Sequence, residues 1–83
     1  MELKLPKKEL KIDLYGEKEE VLRFATTEEC ENFSKEVVKA DASEFTITRG
    51  FLIDLGMSAE SAKKLTPDDM LEITYIVTGQ KKI

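Results

Sequence analysis

Histidine and tryptophan are missing from these 83 residues, and the chain has only one cysteine, two prolines and four glycines. Each scarcity closes off chemistry. Without imidazole no Ser/His/Asp or Cys/His relay can be assembled, and the usual general base at neutral pH and a common metal ligand are lost. The lone thiol, Cys30, permits neither an internal disulfide nor a thiolate zinc cluster. Stability must then come from packing or from a partner. No apolar run approaches the roughly 18 residues of a membrane span. The opening Met1-Glu2-Leu3-Lys4-Leu5-Pro6-Lys7-Lys8 carries charge where a signal peptide is apolar. The expected compartment is the cytoplasm, with no membrane contact, no catalytic residue, no cofactor and no metal.

What is present is charge. The chain is 41% hydrophobic and 36% charged, with a formal charge of −4 and a pI near 4.9. Phosphate binding rests on clustered Lys and Arg, so nucleic acid is excluded as a partner. The charge is unevenly spread. Residues 1–24 are neutral, with six basic and six acidic groups, whereas residues 25–80 carry eleven acidic groups against five basic ones, a net of −6. An acidic body favours a basic partner, or serves only solubility. At this length a single domain, 1–83, is expected, hiding about 60 to 65% of its unfolded surface. A shallow interaction surface suits such a chain better than a deep cavity.

The pattern predicts an α+β fold, mainly α: an N-terminal β-hairpin followed by three to four short helices. Leu10, Ile12 and Leu14 alternate with Lys11 and Asp13, Tyr15-Gly16-Glu17-Lys18 turns, and Val21-Leu22-Arg23-Phe24 runs back, giving a hairpin over 9–24. Residues 1–8, interrupted by Pro6, read as a leader or an edge strand. In the helical body, 25–79, Thr26-Thr27-Glu28-Glu29 is a capping signature opening a helix whose stripe is Cys30, Phe33, Val37 and Ala40. Asp41-Ala42-Ser43 offers a new cap, and Phe45, Thr48 or Arg49, Leu52 and Leu55 keep helical spacing as far as Gly56. Phe45-Thr46-Ile47-Thr48 is β-branched enough to form a strand instead, and Gly50 stands inside the proposed helix. Ser58 starts a short helix through Lys64. Thr66-Pro67-Asp68-Asp69 starts the last, which Gly79 ends, leaving 80–83 as a tail.

Three features bear on chemistry. Cys30 sits on an apolar stripe, as a small hydrophobe would. Asp68, Asp69 and Glu72 lie on one helix turn, where they suit the cap and the dipole, and the spacing of a calcium loop is missing. Asp54-Leu55-Gly56-Met57-Ser58 resembles the prosthetic-group serine region of acyl carrier proteins, which would make Ser58 the attachment site. The chain departs from that family in Ala59 after the serine, in the short helix ending Lys63-Lys64, and in the hairpin, which has no counterpart there.

A second resemblance covers nearly the whole chain. Glu9-Leu10-Lys11-Ile12-Asp13-Leu14, then Val21-Leu22-Arg23-Phe24-Ala25-Thr26-Thr27-Glu28-Glu29, an acidic helical body, and Leu65-Thr66-Pro67-Asp68-Asp69-Met70-Leu71-Glu72-Ile73 ending in Gly79-Gln80-Lys81-Lys82 are similar to the tail assembly chaperones of long-tailed, siphovirus-like bacteriophages and prophages. The resemblance implies a non-catalytic protein of the bacterial host cytoplasm that binds the tape measure protein. The tail tube protein and a frameshifted longer form of the chain are further implied partners. The alternatives are the carrier-like protein with Ser58 as its prosthetic-group site and a small acidic protein-interaction adaptor, and a homo-oligomer of the chain is a further candidate partner. For a protein partner, the apolar contact candidates are Phe51, Met57, Met70 and Tyr75, residues that in a domain this small are more often core than interface, and the steering candidates are the acidic Glu28, Glu31 and Glu36.

Overall fold

The computed structural model describes residues 1–39 and 43–79. Ala40, Asp41, Ala42 and the 80–83 tail, named above, lie outside the described residues. The fold is an N-terminal antiparallel hairpin followed by four helices, α+β and mainly α as the pattern predicted.

Strand β1 (Glu9–Leu14) pairs with β2 (Lys18–Arg23) so that Leu10 faces Leu22, Ile12 faces Glu20 and Leu14 faces Lys18. The period of two puts all six on the inner face of the hairpin. Lys18, expected in the turn, already belongs to β2. The turn itself holds Tyr15 at φ 55° and Gly16 at φ 75°, the first an unusual conformation for a side chain with a Cβ. Its hydroxyl offsets the strain by donating to an Asp69 carboxylate oxygen at 2.6 Å and accepting the Thr66 N–H at 3.4 Å. Residues 1–8 form no strand and are exposed, so the segment is a leader, tied at its end by the Phe24 N–H to the Lys8 carbonyl, 3.1 Å.

Helix α1 (Thr27–Lys39) begins with a reciprocal capping box. The Glu29 N–H donates to the Thr26 hydroxyl at 3.2 Å, and the Thr26 N–H donates back to the Glu29 carboxylate at 2.9 Å. Helix α2 (Glu44–Asp54) decides the ambiguity at 45–48 in favour of helix. A β-branched run needs a strand to pair with, and β2 spends its Arg23 N–H on the Leu55 carbonyl, 3.0 Å away. The Thr48 hydroxyl is satisfied inside the helix by the Glu44 carbonyl, 2.9 Å. Ser43 occupies the N-cap position but makes no side-chain capping bond. The buried stripe of α2 and its cap is Thr48, Phe51, Leu52 and Leu55, whereas Phe45, one turn beyond the edge of the core, is 51% exposed.

Helix α3 (Ala59–Lys64) is capped by Ser58, whose hydroxyl accepts the Ser61 N–H. Helix α4 (Pro67–Val77) is capped by Thr66, whose hydroxyl accepts the Asp69 N–H at 3.3 Å, and carries Pro67 at its first turn. The chain leaves α4 through Gly79 at φ 77°. The core joins Leu14 and Leu22 of the hairpin to Phe51, Leu52 and Leu55, to Met57, Ala62 and Leu65, and to Met70, Ile73 and Val77. Helix α1 contributes no buried residue.

Two substitutions test this framework. Thr66→Ala removes the α4 cap and should cost roughly 1 kcal/mol of a total near 4 to 12 kcal/mol. Gly56 is at φ 122°, and a Cβ there would lie 3.0 Å from the Val21 carbonyl, so Gly56→Ala should cost more than the lost cap. Urea unfolding midpoints of both variants check the size and the order. An unchanged midpoint for Thr66→Ala would mean that α4 does not begin there.

Candidate partner-binding site

Helix α1 is held on the body from its first turn. The Arg23 guanidinium, at the end of β2, makes two parallel bonds of 2.7 Å to the Glu29 carboxylate and reaches the Asp54 carbonyl at 3.4 Å. Arg23 and the Thr26 N–H together hold the Glu29 carboxyl down to about 2, and the same pair raises Arg23 above its ordinary value. One turn further, Phe33 stacks on Phe51 of α2, with ring centroids 4.3 Å apart and planes inclined by 22°.

Two depressions flank this stack. One is a groove of about 440 Å³ between α1 and α2, floored by Phe33, Phe51 and Ile47 and edged by Glu29, Glu36 and Asp54. The other is a cleft of about 140 Å³ where Cys30, Phe33 and Val37 of α1 approach Leu71, Thr74 and Tyr75 of α4. Cys30 is half-buried there as part of the apolar wall.

A third polar junction fixes the hairpin. Glu20 is buried on the inner face, where its carboxylate accepts the Ser58 N–H at 2.8 Å and lies 3.4 Å from the Lys18 ammonium. The Ser58 N–H, followed by Lys18, holds the Glu20 carboxyl below the usual range against the opposing effect of burial. Lys18 also donates to the Ser58 hydroxyl, which in turn donates to Ser61. The Ser58 hydroxyl is therefore engaged as a cap and a relay between hairpin and α3. Glu20 escaped the sequence reading. Its signal was its place two residues before Leu22, on the face that alternation assigns to the core.

Of the apolar contact candidates, Phe51, Met57 and Met70 belong to the core, which corrects their assignment to a contact surface. They are 8%, 2% and 4% exposed, because the hairpin and three helices close over them. Only the rim of Phe51 reaches the acidic groove. Tyr75 is exposed and stands on α4 beside exposed Leu71 and Ile76. Glu28, Glu31 and Glu36 are exposed on α1, and of the three Glu36 edges the groove. Leu71 was missed, although it lies four residues before Tyr75 and off the buried Met70, Ile73, Val77 stripe. Among the described residues no group of three His, Cys, Asp or Glu side chains is placed to hold a metal ion, and Asp69 is engaged by Tyr15. Nor is any helix among them long and apolar enough to cross a membrane.

The surface thus pairs an aromatic floor with a carboxylate rim on one flank of α1 and a cleft of mixed apolar and hydroxyl lining on the other. No family model, curated protein or solved structure matches the chain.

The Arg23 to Glu29 clamp has a pH signature. The Glu29 carboxyl titrates near 2 in the folded chain against an ordinary value of 4.5. The ionised carboxylate therefore adds stability in full above about pH 4.5 to 5, and this is lost as pH falls toward 2. Glu29→Gln should lower the urea midpoint at pH 7, and the gap to wild type should close between pH 5 and pH 2. Glu20 titrates in the same direction but is present in both proteins. A gap independent of pH would show that the carboxylate charge does not hold α1.

Proposed function

We propose that the chain is a non-catalytic tail assembly chaperone that holds a tape measure protein, a long helical protein, during phage tail formation in the bacterial host cytoplasm. The tail tube protein and a frameshifted longer form of the chain are its further partners. The observation that supports this reading is helix α1, a 13-residue amphipathic helix with no buried residue, attached through one ring stack, one ion pair and its cap. It flanks two grooves and carries Glu28, Glu31 and Glu36 outward. An acidic, weakly covered helix at the edge of a closed core is a docking element for a basic helical partner. The whole-chain resemblance described above supports the same reading.

Charge and apolar contact should separate in the kinetics. Rim charges set the association rate and its salt dependence, while apolar anchors set the lifetime. Neutralising Glu28, Glu31 and Glu36 together to Gln should slow association with the tape measure protein at low salt, and Tyr75→Ala should chiefly speed release. Met70→Ala is instead a stability variant, expected to lose about 2 to 5 kcal/mol because that side chain is core. Surface plasmon resonance at two salt concentrations reads both rates. Wild-type association by the triple variant at low salt removes the steering role, and absence of any binding to the tape measure protein overturns the reading.

A further inference from the structure

Gly50 stands inside α2, where glycine is a poorer helix former than alanine. The free chain has no use for it. Its backbone is outside the left-handed region, and a Cβ added there would meet nothing within 4 Å. A glycine at a helix surface without turn or crowding leaves room for the close approach of another backbone. Gly50 lines the 440 Å³ groove between α1 and α2, so any side chain at this position would narrow it.

The chemistry of the groove selects the occupant. Its floor is the Phe33 and Phe51 stack with Ile47, and its rim carries Glu36, Glu29 and Asp54, of which Glu29 is paired with Arg23 and Asp54 also lies in the field of that guanidinium. No Lys or Arg is among the lining residues, and residues 25–80 carry a net charge of −6. We propose that this groove seats a basic amphipathic helix that crosses α2 at Gly50. The apolar face of that helix rests on Phe33 and Phe51, and its Lys or Arg side chains meet Glu36 and Asp54. The proposal builds on the chaperone reading and names the kind of partner segment it requires. The 13 residues of α1 span about 20 Å, which sets a seated length of three to four turns. An acidic helix would be rejected by the rim, and a helix without an apolar face would leave the aromatic floor uncovered.

The test uses the full chain and a fluorescein-labelled 18-residue peptide with leucine at i, i+3, i+4 and i+7 spacing and lysine elsewhere, followed by anisotropy. A sister peptide has glutamate in place of lysine. Wild type should bind the lysine peptide and not the glutamate one. Gly50→Leu should bind about tenfold more weakly or worse, and Gly50→Ala should fall between, while both unfold at or above the wild-type temperature. Glu36→Gln with Asp54→Asn should weaken binding and flatten its salt dependence. The equal charge change Glu60→Gln with Asp68→Asn, away from the groove, should stay within about twofold of wild type. Failure of wild type to bind the lysine peptide, undiminished binding by Gly50→Leu, or equal effects of the two charge-neutral pairs overturns the assignment. The same variants are then tried on the tape measure protein. If wild type and Gly50→Leu bind it alike, the groove assignment falls and the chaperone reading stands. If the peptide binds through Gly50 while the tape measure protein does not bind at all, the groove assignment stands and the chaperone reading falls.

Discussion

The docking of β2 governs the rest of the molecule. A two-stranded hairpin is at best marginally stable alone, so this one must be clamped to the helices. Leu22 is completely buried, and two backbone bonds just after it tie the end of the strand to two helix ends. The Arg23 N–H reaches the Leu55 carbonyl, and the Ala25 N–H reaches the Val77 carbonyl at 2.8 Å. Gly56 lets the end of α2 come within reach of the Val21 carbonyl. A slip of one residue would expose Leu22, bury Val21 and remove Glu20 from Ser58, so the register of the hairpin and the position of α2, α3 and α4 are one constraint.

Two carboxylates finish that clamp in different ways. Glu20 is buried, and its cost is met by a backbone N–H and a lysine. Removing Lys18 would leave the buried carboxylate with the Ser58 N–H alone, whereas removing the carboxylate would orphan that N–H. The Glu29 to Arg23 contact lies nearer to water and is therefore weaker, but its two parallel bonds fix an orientation. The hairpin is accordingly locked into the core, and α1 is pinned at its first turn and by the Phe33 stack alone. With no buried residue of its own, α1 belongs to the low-stability end of the molecule, the end from which local opening begins. The grooves it borders can then adjust to an occupant without cost to the core.

The hairpin, the two threonine caps and the end of α4 at Gly79 were legible because each depends on local chemistry: alternation at Leu10, Ile12 and Leu14, a Thr followed three residues later by an acid, a glycine where a left-handed residue is needed. What was not legible depends on neighbours distant in sequence. Phe45-Thr46-Ile47-Thr48 is helical because that spacing carries Thr48, Phe51, Leu52 and Leu55 into the core together. Phe51, Met57 and Met70 are covered because a small domain has few apolar residues to spare, a count that local pattern does not weigh. Of the candidate site, the acidic face of α1 and Tyr75 could be read directly. Glu20 could not, because an acidic residue in a strand looks solvated until the register places it opposite Ile12.

The same scarcity determines where a binding surface can form. Among the described residues eleven apolar side chains make up the buried core, and each of them used for a partner would be taken from folding. The surface must be made of residues that serve both ends. Phe51 does so, with most of its ring in the core and its rim on the groove. Phe33 does so from the other side, attaching α1 through the stack while leaving a face beside it. Gly50 adds access and removes nothing from the core. Helix stability is given up at one exposed position, and the apolar contacts that hold the fold are left intact, as the proposed groove requires.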